Sequence, residues 1–254
     1  MTIQVVGGFV YGTHGADEFH GSFWSDTYVM TADDWVTDII DGGTGEDRVD
    51  YSQSDVGVRI TLTDPSSPGG ETGGTVDASF SYSTYDPFIG RTLTLVHSQE
   101  VATLTSIEDA TGSSHDDMLT GNSGANVLNG GAGNDTINGG GGADRIIGGA
   151  GHDVMTGGSG QDTFVFQHAS DALPASNLTL LDTITDFVRG EDKIDLSALA
   201  NETTNHHALT FEAFTGTPGD VMSFFDGHGF AVEVDLNGDK SADFQLQVNS
   251  TTLE

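Results

Sequence analysis

The sequence predicts an all-β repeat solenoid. Three observations predict it. A nine-residue glycine-rich repeat holds one register over six consecutive copies, each copy carries one apolar residue at the same place, and Gly and Asp abound while Cys is absent. Of 254 residues 36 are Gly, and Asp+Glu outnumber Lys+Arg 39 to 7, for a net charge of −32. The acids are mostly Asp, 29 against 10 Glu. Asp with Gly suits turns that hold hard cations, where Glu suits helices and solvating tails. So negative a chain is a poor partner for nucleic acid or anionic membrane, since both need basic patches. The lack of Cys excludes disulfides, zinc–thiolate centres and thiol catalysis. No apolar run approaches the ~18 residues of a membrane span. The first eleven residues lack the basic segment of a cleavable secretory signal.

The first copies lie in residues 1–50. Residues 12–20 read GTHGADEFH, 21–29 read GSFWSDTYV and 42–50 read GGTGEDRVD, which puts Asp17, Asp26 and Asp47 at position six. Phe19, Tyr28 and Val49 stand at position eight. Residues 51–111 read as spacer coils. Stretches 58–62, 92–96 and 101–107 have strand character, and 64–100 reads as a looped excursion from one solenoid running from about 12 to 166. Phe80, Tyr82, Tyr85 and Phe88 crowd that excursion. They suit a hairpin covering the solenoid, with an aromatic platform for a sugar or partner as the alternative.

The main array, 112–166, is the most regular. Its nines are GSSHDDMLT, GNSGANVLN, GGAGNDTIN, GGGGADRII, GGAGHDVMT and GGSGQDTFV. Position six holds Asp117, Asn126, Asp135, Asp144, Asp153 and Asp162; position eight holds Leu119, Leu128, Ile137, Ile146, Met155 and Phe164. Strand alternation points position eight inward. Glycine at positions one, two and four permits backbone angles that side chains forbid and exposes carbonyls. Successive repeats turn on opposite sides, so loops 18 residues apart stack, with strands ~4.8 Å apart. Asp117, Asp135 and Asp153 then form one column, and Asn126, Asp144 and Asp162 the other. Two ionised carboxylates ~5 Å apart repel by roughly 3 kcal/mol at an effective dielectric near 20. A thin core flanked by acid columns therefore calls for a cation. Hard oxygens, many of them carbonyls, with no recurring imidazole or thiolate, favour calcium.

The repeat resembles that of the RTX (haemolysin-type) family, GGxGxDxUx with U apolar. The resemblance implies a parallel β-roll, two nonapeptides to a coil, with Ca2+ between stacked loops. In that family the carbonyls at positions two and four and the acid at six of one loop join carbonyls at one and three and the acid of the loop two repeats later. Carried over, this gives about four ions. The first site takes Ser113, His115 and Asp117 with Gly130, Ala132 and Asp135. The second takes Asn122, Gly124 and Asn126 with Gly139, Gly141 and Asp144. The third takes Gly131, Gly133 and Asp135 with Gly148, Ala150 and Asp153. The fourth takes Gly140, Gly142 and Asp144 with Gly157, Ser159 and Asp162. Asn126 replaces an acid and weakens the second site, and copy 112–120 lacks the early glycines. Asp17, Asp26 and Asp47 are further metal candidates.

Residues 167–252 differ. The frame DxFxF followed by DxIxDFxxGxDKIDLS, and then FEAFTGTPGDVMSF at 211–224, resembles the C-terminal domain of serralysin-type secreted metalloproteases, which caps the roll and precedes the type I export signal. Phe164, Phe166, Ile184, Phe187, Ile194 and Leu196 are expected to close the open coil end. Asp186 and Asp192 are candidate metal ligands, with structural turn acids as the alternative. Asp235, Asn237, Asp239 and Asp243 have the oxygen spacing of an EF-type loop; a β-hairpin with an Asn-Gly turn competes.

No enzyme is expected. None of the nine His forms HExxH, and neither GxSxG nor a phosphate loop with Lys is present. The sequence reads as a secreted, extracellular calcium-binding module that folds on Ca2+ after passing the type I secretion machinery. A polysaccharide-binding or adhesion module of a larger protein is the alternative.

Overall fold

The computed structural model describes residues 2–4, 8–11, 16–30, 38–43, 45–62, 74–86, 91–172, 181–203, 208–211, 213, 215–225 and 229–250. The expected excursion residue Phe88 lies outside them. The chain divides into two compact units, Met1–Asp117 and Met118–Glu254. No helix among the described residues is long and apolar enough to cross a membrane.

The first unit contains β1 (Thr2–Gln4), β2 (Gly8–Tyr11), β3 (Glu18–His20), β4 (Asp26–Val29), β5 (Asp38–Asp41), β6 (Arg48–Asp50), β7 (Gly57–Thr61), β8 (Gly74–Asp86), β9 (Arg91–Thr105) and β10 (Asp109–Thr111). One sheet runs β1-β3-β5-β9-β8-β7 and the other β10-β6-β4-β2. Strands β1 to β6 alternate between the two sheets and pair in parallel with the strand of the next coil. That is the parallel roll. The excursion is more ordered than a loop: β8 and β9 form an antiparallel hairpin hydrogen-bonded into the sheet, with β9 parallel to β5 and β8 antiparallel to β7. The stretches 92–96 and 101–107, separate by their sequence pattern, fall largely on the one strand β9.

The second unit contains β11 (Met118–Thr120), β12 (Val127–Ala132), β13 (Thr136–Gly141), β14 (Arg145–Ala150), β15 (Val154–Ser159), β16 (Thr163–Val165), β17 (Asp182–Phe187), β18 (Lys193–Asp195), β19 (Thr210–Phe211), β20 (Asp220–Phe225), β21 (Phe230–Asp235) and β22 (Phe244–Ser250). Its sheets run β11-β13-β15-β17-β22-β21-β20-β19 and β18-β16-β14-β12. The register stacks position eight on position eight: Leu128 on Ile146, Ile137 on Met155, Ile146 on Phe164. All six position-eight side chains of the main array are fully buried, as are Phe19, Tyr28 and Val49 in the first unit.

A solenoid end exposes core unless something covers it. Here β17 pairs in parallel with β22, which turns back through an antiparallel meander with β21 and β20. Phe166 meets Phe244 edge to face at 5.2 Å, and Phe164 lies 6.4 Å from Phe187. Phe164, Phe166, Ile184 and Leu196 are buried, whereas Phe187 and Ile194 are half-buried.

Candidate metal centre

Each position-six side chain is a rung in a ladder. In the glycine loops of the main array Oδ1 of Asp144, Asp153 and Asp162 accepts the main-chain N–H of position six one coil earlier, from Asn126, Asp135 and Asp144 in turn, all at 2.9 Å. Both sequence-predicted columns of the main array stack in this way within the second unit. The ladder runs past the repeats. Asp153 donates to Asp182 at 2.8 Å and Asp162 to Asp192 at 3.0 Å. In the first unit Asp17 donates to Asp38, Asp26 to Asp47, Asp47 to Glu108 and Val58 to Asp117. Apart from the half-buried Glu108 and Asp192 these acids are almost wholly buried; Asp117 is the most exposed of the main-array set at 5%.

The remaining carboxylate oxygen is used in more than one way. Where position two carries a side chain, its N–H donates back to position six: Ser22 to Asp26, Ser113 to Asp117 and Asn122 to Asn126. Ser113 Oγ adds bonds to Asp117 and receives the N–H of His115. In the glycine loops of Asp47, Asp144 and Asp162 the Oδ2 is buried and has no hydrogen-bond partner among the described residues. One oxygen is left over likewise at Asp26, beside its Ser22 cap, and at Asp182, which no glycine loop precedes. An orphaned buried carboxylate oxygen carries a large desolvation penalty.

The glycines explain the geometry around that oxygen. Positions two and four adopt positive φ throughout the regular loops (Gly131, Gly133, Gly140, Gly142, Gly149, Gly151, Gly158, Gly160), as do Gly43 and Gly45. Position one does not, which corrects the expectation that all three glycines serve unusual backbone angles. Gly139 and Gly157 are required for closeness instead. A Cβ on Gly139 would collide with Asp144 Oδ2 and sit 2.5 Å from the Gly157 carbonyl oxygen. A Cβ on Gly42 would lie 2.7 Å from Asp47 Oδ2 and also strike the Ser106 carbonyl. At Gly42 and Gly139 a carboxylate oxygen and a carbonyl of a neighbouring coil thus gather around a bare Cα, and at Gly157 the Asp162 carboxylate lies closest.

Such a set of hard oxygens fits calcium. Among the described residues no three His, Asp or Glu side chains gather into a metal cluster; the oxygens at a rung are carboxylate plus main chain. Some carbonyls assigned to ions also hold neighbouring coils. Asn122 accepts from Gly141 N–H at 2.8 Å, Ala150 from Gly133 and Ser159 from Gly142 at 2.9 Å. A carbonyl has a second lone pair, so the two uses are compatible. The first predicted site draws its loops from both units, and Asp117 is described with its own.

Burial is the main reason these carboxyls resist ionisation. It pushes Asp144 up to about 6, against the Asn126 N–H bond and with help from Asp162. It likewise pushes Asp47 up to about 6 and raises Asp117 and Asp162. Asp182 is pushed to about 8 by burial and then by the charge of Asp153.

Asp182, Asp38 and Glu108 are rungs that the repeat pattern did not reveal. They lack the preceding glycines, but Asp182-Thr-Ile184, Asp38-Ile-Ile40 and Glu108-Asp-Ala110 each keep an acid two residues before a buried apolar side chain. Asp186 spends both oxygens on Gly157 and Gly158 N–H, and Asp192 spends its pair on Asp162 and Val188 N–H. Both cap backbone amides, and each oxygen keeps a further lone pair. In the β21–β22 connection Asp235 accepts from Asn237, Gly238 and Lys240, Asn237 from Asp239, Asp239 from Ser241, and Asp243 from Leu236 and Asn237.

Residues 94–253 match the family model described as peptidase M10 serralysin C terminal. The metalloprotease AprA of Pseudomonas entomophila (strain L48) is 42% identical over 85 residues, 32% of this chain and 17% of that protein. Serralysin G of Dickeya chrysanthemi is 34% identical over 93 residues, 36% and 18% respectively. The chain thus spans less than a fifth of the length of these relatives. Among solved structures, a subunit of the Azotobacter vinelandii mannuronan C5-epimerase is 30% identical over 53% of this chain and 71% of that one, at a TM-score of 0.40. The extracellular lipase LipA of Serratia marcescens is 15% identical over 98% and 38%, at a TM-score of 0.35.

Proposed function

The chain belongs to the peptidase M10 serralysin C-terminal family and is a calcium-binding RTX module; from that premise we propose that it is a secreted, non-catalytic module whose folding is driven by the ions. The observation that carries this reading is the buried, unpartnered Oδ2 of Asp47, Asp144 and Asp162, each beside a glycine with no room for a Cβ. A cation supplies the missing partner and reverses the repulsion along each acid column. About four ions occupy the main array. The all-glycine loops at the third and fourth sites bind most tightly, because the self-capped loops at Ser113 and Asn122 have already committed an oxygen.

Secretion follows the same logic. In low cytosolic calcium the acid columns keep the chain unfolded and competent for type I export. Calcium outside the cell then folds it, with the β20–β22 meander closing the coil end. The test is far-UV circular dichroism with metal counting, in calcium and in chelator. Strand signal present in calcium and lost in chelator is the expected result; an unchanged spectrum after full removal of metal refutes the reading.

A further inference from the structure

A second kind of cation position lies outside the roll, in the C-terminal meander. Asp220 and Asp235 face each other directly across the antiparallel β20–β21 pair, and both are fully buried. Directly opposed residues in such a pair project to the same face of the sheet, with Cβ atoms about 5 Å apart. Asp220 Oδ2 accepts from Thr215 N–H at 2.7 Å, Thr215 Oγ1 at 3.0 Å and Thr217 N–H at 3.3 Å. Its Oδ1 is buried and accepts nothing from the described residues. Burial raises the carboxyl, and the bonds from the 215–217 turn outweigh it and hold it below the ordinary range. Asp235 in turn holds the facing turn through Gly238 N–H at 2.6 Å and Lys240 N–H at 2.9 Å. Among the described residues neither carboxylate has an ion pair.

The two turns are packed against each other by glycines at positive φ. A Cβ on Gly238 would lie 2.9 Å from the Gly216 carbonyl oxygen, and one on Gly216 would lie 3.4 Å from the Gly238 carbonyl oxygen. Two buried acids, one with a spare oxygen, thus hold the N–H groups of two turns whose glycine carbonyls come to close quarters. The donors are all hard oxygens, which select calcium over softer metals.

We propose that Asp220 Oδ1, with the Asp235 carboxylate and the Gly216 and Gly238 turns, forms a calcium site of the meander that is separate from the roll's acid ladder. The sequence pattern drew attention to the 235–243 loop alone. The structure adds Asp220, which supplies a buried oxygen without a partner among the described residues. The site pins the meander that covers the coil end.

The test is an anomalous difference map from crystals of the whole chain grown with calcium or terbium. A peak is expected at about 2.3–2.6 Å from Asp220 Oδ1, besides those in the roll. Plasma mass spectrometry should count one ion fewer in Asp220→Asn, with its strand spectrum kept. Ions in the roll with none between the two turns overturn this inference and leave the roll reading standing. An ion here with none in the roll does the reverse. Should Asp220→Asn fail to fold, the map of the unaltered chain decides.

Discussion

Replacing Gly139 by Ala isolates what position one of the repeat does. The backbone there is ordinary for an L residue, so the new methyl meets only a steric problem. Its Cβ would lie 2.5 Å from the Gly157 carbonyl oxygen, where ordinary contact begins near 3.4 Å. That oxygen belongs to the main chain of the next coil and cannot swing away, and Asp144 Oδ2 blocks the other side. Overpacking of this kind costs about 3 kcal/mol, which lowers Tm by roughly 6–12 °C for a chain of this size. Two controls separate the causes. Gly124→Ala meets only the end of the Asn122 side chain at 3.2 Å and should stay within about 0.5 kcal/mol. Gly190→Ala has φ +88 and nothing within 4 Å, so it incurs only the left-handed strain of about 1 kcal/mol. Thermal unfolding in saturating calcium, followed by circular dichroism, ranks the three. Gly139→Ala melting together with Gly124→Ala would refute the reasoning.

Other outcomes follow from the same geometry. Asn126→Asp restores an acid to its column and should tighten the second site roughly tenfold or more, read by calorimetry, while destabilising the chain in chelator. Phe164→Ala removes a fully buried ring at the junction of roll and cap and should cost about 3–5 kcal/mol in urea unfolding. In chelator, stability should depend on pH in the sense opposite to an ordinary salt-bridged acid. Asp47 and Asp144 rise from 3.8 to about 6 in the folded chain. Their stabilising contribution is full below the unfolded value and lost as pH rises through about 6; Asp182 extends the loss to about 8. The readout is the strand signal of the metal-free chain across a pH series: partial recovery on acidification is expected, and a signal that grows from pH 4 to 8 in chelator contradicts this.

Much of the roll was legible because its repeat encodes both periods at once. Asp144 and Ile146, two residues apart, recur every nine residues, and strand alternation alone sends the apolar one inward. The stacking of Leu128 on Ile146 then follows from 18 residues per coil. The rungs at Asp182, Asp38 and Glu108 were less legible, since the turns before them lack glycine and their coils are reached after insertions. The hairpin β8–β9 was harder still. Its alternating residues state that strands form, but whether a strand pairs within an excursion or joins the sheet depends on free edges elsewhere in the chain.

By itself, then, the sequence determined the all-β repeat architecture, the two acid columns and the hardness of the ligand oxygens, because these depend only on local period and residue chemistry. Only the tertiary structure decided which oxygens are committed. Asp186 and Asp192 cap main-chain amides, while Asp144, Asp162 and Asp220 each retain a buried oxygen without a partner. For Asp186, and for Asp192 towards Asp162, the N–H that is met lies on the preceding coil, where packing rather than a neighbouring residue sets it.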